Sequence, residues 1–123
     1  MAWTERTELL VGPEGLGKLR AAAVAVVGCG GVGAAAAEML ARACVGHIAL
    51  IDSDSVSESN INRQLPALHS TVGLPKTGVL AGRLKDINPD LDLVTVDDYL
   101  TEDNVPPCSA ASFPASISLW WMP

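Results

Sequence analysis

The stretch Val24-Ala25-Val26-Val27-Gly28-Cys29-Gly30-Gly31-Val32-Gly33 decides how this chain folds. An apolar run with no polar alternation leads into a glycine-rich turn, and an alanine-rich segment follows. Such a run is the pattern of a strand buried on both faces, as in a parallel sheet. The turn has the spacing G-x-G-x-x-G, with Gly31 as an additional glycine at a variable position. In that arrangement Gly28 permits the tight turn, Gly30 lets the backbone approach a phosphate, and Gly33 lets the helix lie close to the strand. The helix N-terminus then offers unpaired N–H groups and a partial positive charge to an anion. The turn alone is a weak signal, and its weight comes from what surrounds it.

Working outward, Ala23 to Val27 is the first expected strand and Val32 to Ala43 the first long helix. Ala34 through Ala37 give that helix a slim face for a sheet. Glu38 and Arg42, four apart, are expected to pair on a solvated side. Gly46 reads as the helix C-cap. His47 to Asp52 is a second buried strand ending in an acid, which completes a β–α–β unit with a right-handed crossover. Asp52 follows the turn at about the 20-residue separation of an acid that binds a ribose hydroxyl. An Asp at a strand end also caps turns, and the glycine turn upstream favours the ribose role. Before this unit, Pro13 to Arg20 predicts a short helix. After it, Lys76 to Ile87 predicts a helix with Val79, Leu80, Leu84 and Ile87 on one stripe, stopped by Asn88-Pro89. Leu91 to Val96 alternates and reads as a less buried strand at an edge.

The 123 residues suit one domain with a single core. A formal charge of -6 argues against broad binding of polyanions, so a nucleic-acid substrate would need a local patch. Cys29, Cys44 and Cys108 lack the pairing of a disulfide framework or the spacing of a zinc site. Cys29 reads as a small buried thiol in preference to a nucleophile. No apolar run suits a membrane span, and the polar N-terminus is unlike a signal peptide, which together point to the cytoplasm.

Ser53 to Gly73 is polar and irregular, centred on Asn60-Ile61-Asn62-Arg63-Gln64. By spacing alone Arg63 and Lys76 are exposed cations in or beside a loop. That loop leaves the same sheet edge as the glycine turn, where ligands of open α/β sheets bind. Two cations there could face phosphates held at the turn. His47 and His69 do not fall at metal-ligand spacing and read as structural or solvated. Thr101 to Asn104 resembles a helix start, but Pro106-Pro107 intervenes and no charged residue follows Asp103. Residues 105–123, with Phe113, Trp120 and Trp121, read as foreign to the fold, from a frameshift or early end; the alternative is a genuine apolar tail packing on a partner.

These segments together are similar to one superfamily. Gly28-Cys29-Gly30-Gly31-Val32-Gly33, Leu50-Ile51-Asp52-Ser53-Asp54, Ser59-Asn60-Ile61-Asn62-Arg63-Gln64, Gly73-Leu74-Pro75-Lys76 and Ile87-Asn88-Pro89 resemble the E1-like activating enzymes. That superfamily includes ubiquitin E1, the ThiF and MoeB adenylyltransferases and the tRNA threonylcarbamoyladenosine dehydratases. Arg6-Thr7-Glu8-Leu9-Leu10-Val11-Gly12 and Ala67-Leu68-His69-Ser70-Thr71-Val72-Gly73 resemble the dehydratase branch. The resemblance implies an α/β Rossmann-like three-layer fold with a mainly parallel sheet, truncated after about three strands. Residues 1–104 would be the N-terminal part of the ATP-binding domain and 105–123 a tail outside the family. It implies that Gly28, Gly30, Gly31 and Gly33 line an ATP site and that Asp52 holds the ribose. Asn60 and Gln64 would contact phosphates, with Arg63 and Lys76 as the catalytic charge stabilisers.

The implied chemistry is attack of a carboxylate on the α-phosphate of ATP, giving an acyl-adenylate and pyrophosphate. In the dehydratases the carboxylate belongs to the threonylcarbamoyl group of a tRNA adenosine, and its activation allows ring closure with loss of water. Alternatives are adenylylation of a ubiquitin-like sulfur carrier, with sulfur-transfer partners, and a non-catalytic nucleotide-binding fragment. An NAD-dependent oxidoreductase also suits the turn and Asp52, though not the two cations. The family implies Mg²⁺, with an acidic ligand segment that this chain does not match, and a homodimer of longer chains. The chain is therefore expected to be inactive alone.

Overall fold

A continuous apolar strand needs cover on both faces and a neighbour on each edge, and the sheet supplies the neighbours. In the computed structural model, which describes residues 2–98 and the backbone of 118–121, β1 (Ala23–Val27) and β2 (His47–Ile51) pair in parallel. Their register sets Ala23 opposite His47 and Val27 opposite Ile51. β3 (Asp92–Val96) lies parallel on the outer side of β2, with Asp92 opposite His47. The two side chains join there, His47 Nδ1 to Asp92 Oδ2 at 3.1 Å. The edge position explains the alternation of β3. β4 (Ser118–Trp121) lies parallel to the other edge of β1 and gives the order β3-β2-β1-β4. It adds a fourth strand to the three counted in the sequence, from within the stretch read as a tail. Thr101 to Asn104, Cys108, Phe113 and the remainder of that tail lie outside the described residues.

Alternate residues of the inner strands serve two cores, as a period of two requires. Val24, Val26, Ile48 and Leu50 meet α2 (Gly31–Arg42) and α3 (Lys76–Ile87) through Ala34, Ala37, Ala41, Leu80 and Leu84. Ala23, Ala25, Ala49 and Ile51 form the smaller cluster on the opposite face. Burying each large aliphatic in the first cluster contributes roughly 1.5–3 kcal/mol, so this layer dominates the stability of the sheet.

Three expectations need correction. α1 runs Glu5–Ala21, longer than the helix predicted from Pro13. It breaks at Gly12, whose φ of 78° and ψ of 168° leave the helical region, and Pro13 restarts it where a missing N–H costs nothing. Gly46 is not the cap of α2. That helix ends in a Schellman motif with Cys44 left-handed at φ 73°: Cys44 N–H donates to Ala41 O (3.2 Å) and Val45 N–H to Leu40 O (3.1 Å). Gly46 instead lets the end of α1 come close, since a Cβ there would stand 1.8 Å from Arg20 O. Glu38 is not on a solvated side either. Its side chain is 6% exposed, and Arg83 of α3 reaches it at 2.9 Å while Arg42 holds it at 3.0 Å.

Candidate nucleotide site

The glycine turn is closed by backbone groups and leaves a helix end open. Gly28 takes φ 93°, a left-handed conformation natural only to glycine, and its N–H donates to Ile51 O at 2.7 Å. A Cβ on Gly33 would lie 1.7 Å from Gly28 O, so the first turn of α2 rests directly on the bend. Gly30 precedes the helix without a side-chain cap, and no acid occupies its first turn. Ala34 N–H returns to Gly30 O at 3.1 Å, whereas the N–H groups of the residues before it have no intrahelical acceptor. A Cβ on Gly31 would meet nothing within 4 Å. The open space therefore lies over the end of a helix that carries partial positive charge.

Asp52, at the end of β2, ties this turn to the next loop. Its Oδ2 accepts the Cys29 N–H at 2.7 Å and its Oδ1 accepts the Asp54 N–H at 2.8 Å. The turn-capping role weighed from sequence is thus real, and it sets Asp52 beside the glycine bend. The stitching continues through Asp54 O, which accepts the Lys76 N–H at 3.2 Å, and a bridge between Ser55 and Pro75. The start of α3 is thereby fastened to the mouth of the turn.

Lys76 opens α3 and is buried, at 7% exposure, which corrects the reading of an exposed cation. The acid facing its Nζ is Asp54, 4.0 Å away and 68% exposed. The charge of Lys76 is felt at Cys29. Burial and the Asp52 carboxylate push that thiol up to about 12, and the Lys76 ammonium opposes them. Cys29 is fully buried, so it fills space and is no nucleophile at neutral pH. Gln64 also reaches the bend: its Nε2 would stand 3.3 Å from a Cβ on Gly30, and its buried Oε1 has no partner among the described residues.

Arg63 and Asn60 are placed differently. Arg63 is exposed and folds over its own turn, Nη1 donating to Ser59 O at 3.1 Å and to Asn62 Oδ1 at 2.7 Å. Asn60 Oδ1 accepts the Ser57 N–H at 2.9 Å and caps the short 3₁₀ turn Glu58–Asn60. Among the described residues neither bonds to the glycine turn. The structure thus gathers Gly28, Gly30, Gly31, Gly33, Asp52, Gln64 and Lys76, and leaves Arg63 and Asn60 on the adjoining loop. Asp54 was missed as a link, although the Asp-x-Asp pattern after the strand was its signal. Among the described residues no three His, Cys, Asp or Glu side chains could hold a metal ion, and no helix is long and apolar enough to cross a membrane.

Comparison with known proteins places this geometry. The model of the ThiF family matches residues 5–117. The tRNA threonylcarbamoyladenosine dehydratase of Bacillus subtilis is 50% identical over 98 residues, covering 80% of this chain and 39% of the relative. That of Escherichia coli is 48% identical over 107 residues, covering 85% of this chain and 40% of the relative. The crystal structure of the Escherichia coli enzyme, TcdA, in complex with ATP superposes with a TM-score of 0.81 at 44% identity over 90% of this chain and 47% of that one. The chain spans about 40% of the length of these curated relatives. On these grounds the chain, with its Rossmann-like parallel sheet and glycine turn, belongs to the ThiF family.

Proposed function

We propose that this chain supplies the nucleotide-binding portion of an ATP-dependent tRNA threonylcarbamoyladenosine dehydratase. One observation carries the reading: Lys76, whose stem is packed away at 7% residue exposure, stands beside the glycine turn and meets one largely exposed carboxylate 4.0 Å away. A buried cation without a close partner is costly, and an anionic ligand offsets that cost. The residues suit a triphosphate. The open N-terminus of α2 would receive phosphate and Lys76 would neutralise it. When bound, ATP supplies the activating group, an electrophilic α-phosphorus for a substrate carboxylate. Lys76 would stabilise the charge that develops there, being fixed in place before the reaction begins. Asp52 keeps lone pairs for a ribose hydroxyl beyond the two it gives the backbone. Arg63, on the adjoining exposed loop, would join as a second cation when phosphate is present, releasing Ser59 and Asn62.

The dehydratase assignment, with tRNA as substrate, rests on the two relatives of that name, and a tRNA substrate would place the protein in the cytoplasm. A homodimer and Mg²⁺ are further elements of the proposal, and ligands for Mg²⁺ would come from outside the described residues. Titration of the chain with ATP by calorimetry tests the site. Lys76→Ala should weaken binding by at least tenfold with circular dichroism unchanged. Equal ATP affinity in that variant refutes the site. In a full-length relative, stimulation of pyrophosphate release by a sulfur-carrier protein instead of modified tRNA would move the assignment to the adenylyltransferases.

A further inference from the structure

Roughly 18 Å from the glycine turn, the length of α2, a second polar cleft has no part in the site above. It holds about 560 Å³ and is lined by Trp3, Arg42, Arg83, Asp86 and Ile87. Trp3 is 51% exposed there, and the Arg42 and Arg83 side chains are 53% and 50% exposed. Both guanidiniums spend Nε and Nη2 on one atom, Glu38 Oε1, at 2.9 to 3.3 Å. Neither Nη1 has a partner among the described residues. A single buried carboxylate thus fixes two planar cations side by side, with donors to spare, next to a large exposed ring.

We propose that this cleft binds one nucleotide of an RNA strand, the base stacked on the Trp3 indole and the phosphate on Arg42 and Arg83. The inference rests on tRNA being the substrate. A fixed guanidinium pair suits the bidentate geometry of a phosphate, and an indole stacks any base. An exposed indole beside cations is a poor choice for a surface meant only for water. The chain is acidic overall, so contact with a polyanion has to be local and made by fixed donors. Asp86 on its rim and buried Glu38 cancel the two positive charges in sum. The site therefore holds by geometry, with little long-range attraction.

The test is fluorescence anisotropy of a labelled, unmodified tRNA transcript titrated with the full 123-residue chain at low salt. Trp3→Ala should lose about tenfold in affinity while Trp3→Phe keeps most of it. Arg83→Lys, which leaves Glu38 paired and the fold intact, should also weaken binding by removing the planar fork. Arg42→Gln should lower the salt slope by about one. Asp86→Asn should tighten binding about twofold, a gain that no folding defect can mimic. Unchanged affinity in Trp3→Ala and Asp86→Asn overturns the inference, as does displacement of the RNA by a Glu-rich peptide at lower concentration than by competing RNA. ATP binding is read in the same samples. If ATP binds and tRNA does not, the cleft proposal falls and the nucleotide site stands. If tRNA binds through the cleft while Lys76→Ala binds ATP normally, the nucleotide site falls and the cleft stands.

Discussion

Two charges buried at opposite ends of the α2–α3 layer are treated in opposite ways. Glu38, on the sequence side of α2 remote from the glycine turn, is held by two guanidiniums at 2.9 and 3.0 Å. Lys76, near the turn, faces one largely exposed carboxylate at 4.0 Å. In the first the buried carboxylate is fully matched by charge, once from its own helix and once across to α3. The second is incomplete, and the anion proposed above would make up the shortfall. At one end the buried charge is neutralised within the protein, and at the other it is not.

The largest effects come from making each end impossible to assemble. Gly33→Ala would drive a Cβ into Gly28 O at 1.7 Å, and Gly46→Ala would do the same to Arg20 O at 1.8 Å. The obstacles are backbone atoms that cannot rotate away, so each substitution should cost more than about 3 kcal/mol, read by urea denaturation. Gly31→Ala, where a Cβ meets nothing, should leave stability within about 0.5 kcal/mol, which separates the closed floor of the bend from its open mouth.

Next in size are the two charges themselves. Glu38→Ala leaves two guanidiniums unpaired and should cost about 2 kcal/mol, less than a fully buried pair because both arginines are half in water. Lys76→Met should do the reverse, stabilising the ligand-free chain by about 1 kcal/mol while abolishing ATP binding. A loss of stability in Lys76→Met comparable to that of Glu38→Ala would erase the contrast.

The sequence carried the frame of this contrast but not its charges. The strands 23–27 and 47–51 were legible because unbroken apolar runs between glycines have few other uses. The helix 76–87 was legible from its apolar stripe and its stop at Asn88-Pro89. The spacing from the turn pointed Asp52 to a ribose, and its bond to the Cys29 N–H came only with the structure, whereas the edge position of 92–96 followed from its alternation. Burial of Glu38 was hidden, because its second partner is Arg83 and a Glu–Arg pair four apart looks the same on any solvated helix. Burial of Lys76 was hidden likewise, since a first-turn lysine reads as exposed until the loop 53–75 folds back on it. Cys44 carried no signal for its left-handed backbone. A glycine two residues on drew that expectation, while its real use was close contact with α1.

Acid should separate the ends more gently. The Arg83 hydrogen bond, with Arg42 adding to it against the effect of burial, holds the Glu38 carboxyl below its usual value. The native group therefore binds its proton less readily than the unfolded one. The stability it contributes is whole above the unfolded pKa of about 4.3 and is lost as pH falls through the lowered native value. Wild type and Glu38→Gln should differ most at pH 7 and converge towards pH 3, measured as urea midpoints. A constant difference across that range would remove ionisation from the account of Glu38.

The smallest effect concerns the thiol between the two charges at the turn. Cys29 is pushed up to about 12 by burial and by Asp52, with Lys76 pulling the other way. An unfolded thiol titrates near 8.5, so between those values the unfolded chain releases a proton that the native chain keeps. Stability from Cys29 is thus present below about pH 8.5 and drains away as the medium becomes more alkaline. At pH 8 the native thiol should be unreactive towards iodoacetamide, and so should Cys44, which is also buried. In a Cys108→Ser background, modification should then occur only through opening, at a rate set by the population of the open state. Saturating ATP should slow labelling of Cys29 if ligand completes the Lys76 end, because a bound ligand stabilises the native state by mass action. Labelling of Cys29 that is fast and indifferent to ATP would mean that the turn opens on its own, and that the shortfall around Lys76 reflects local looseness instead of a place kept for phosphate.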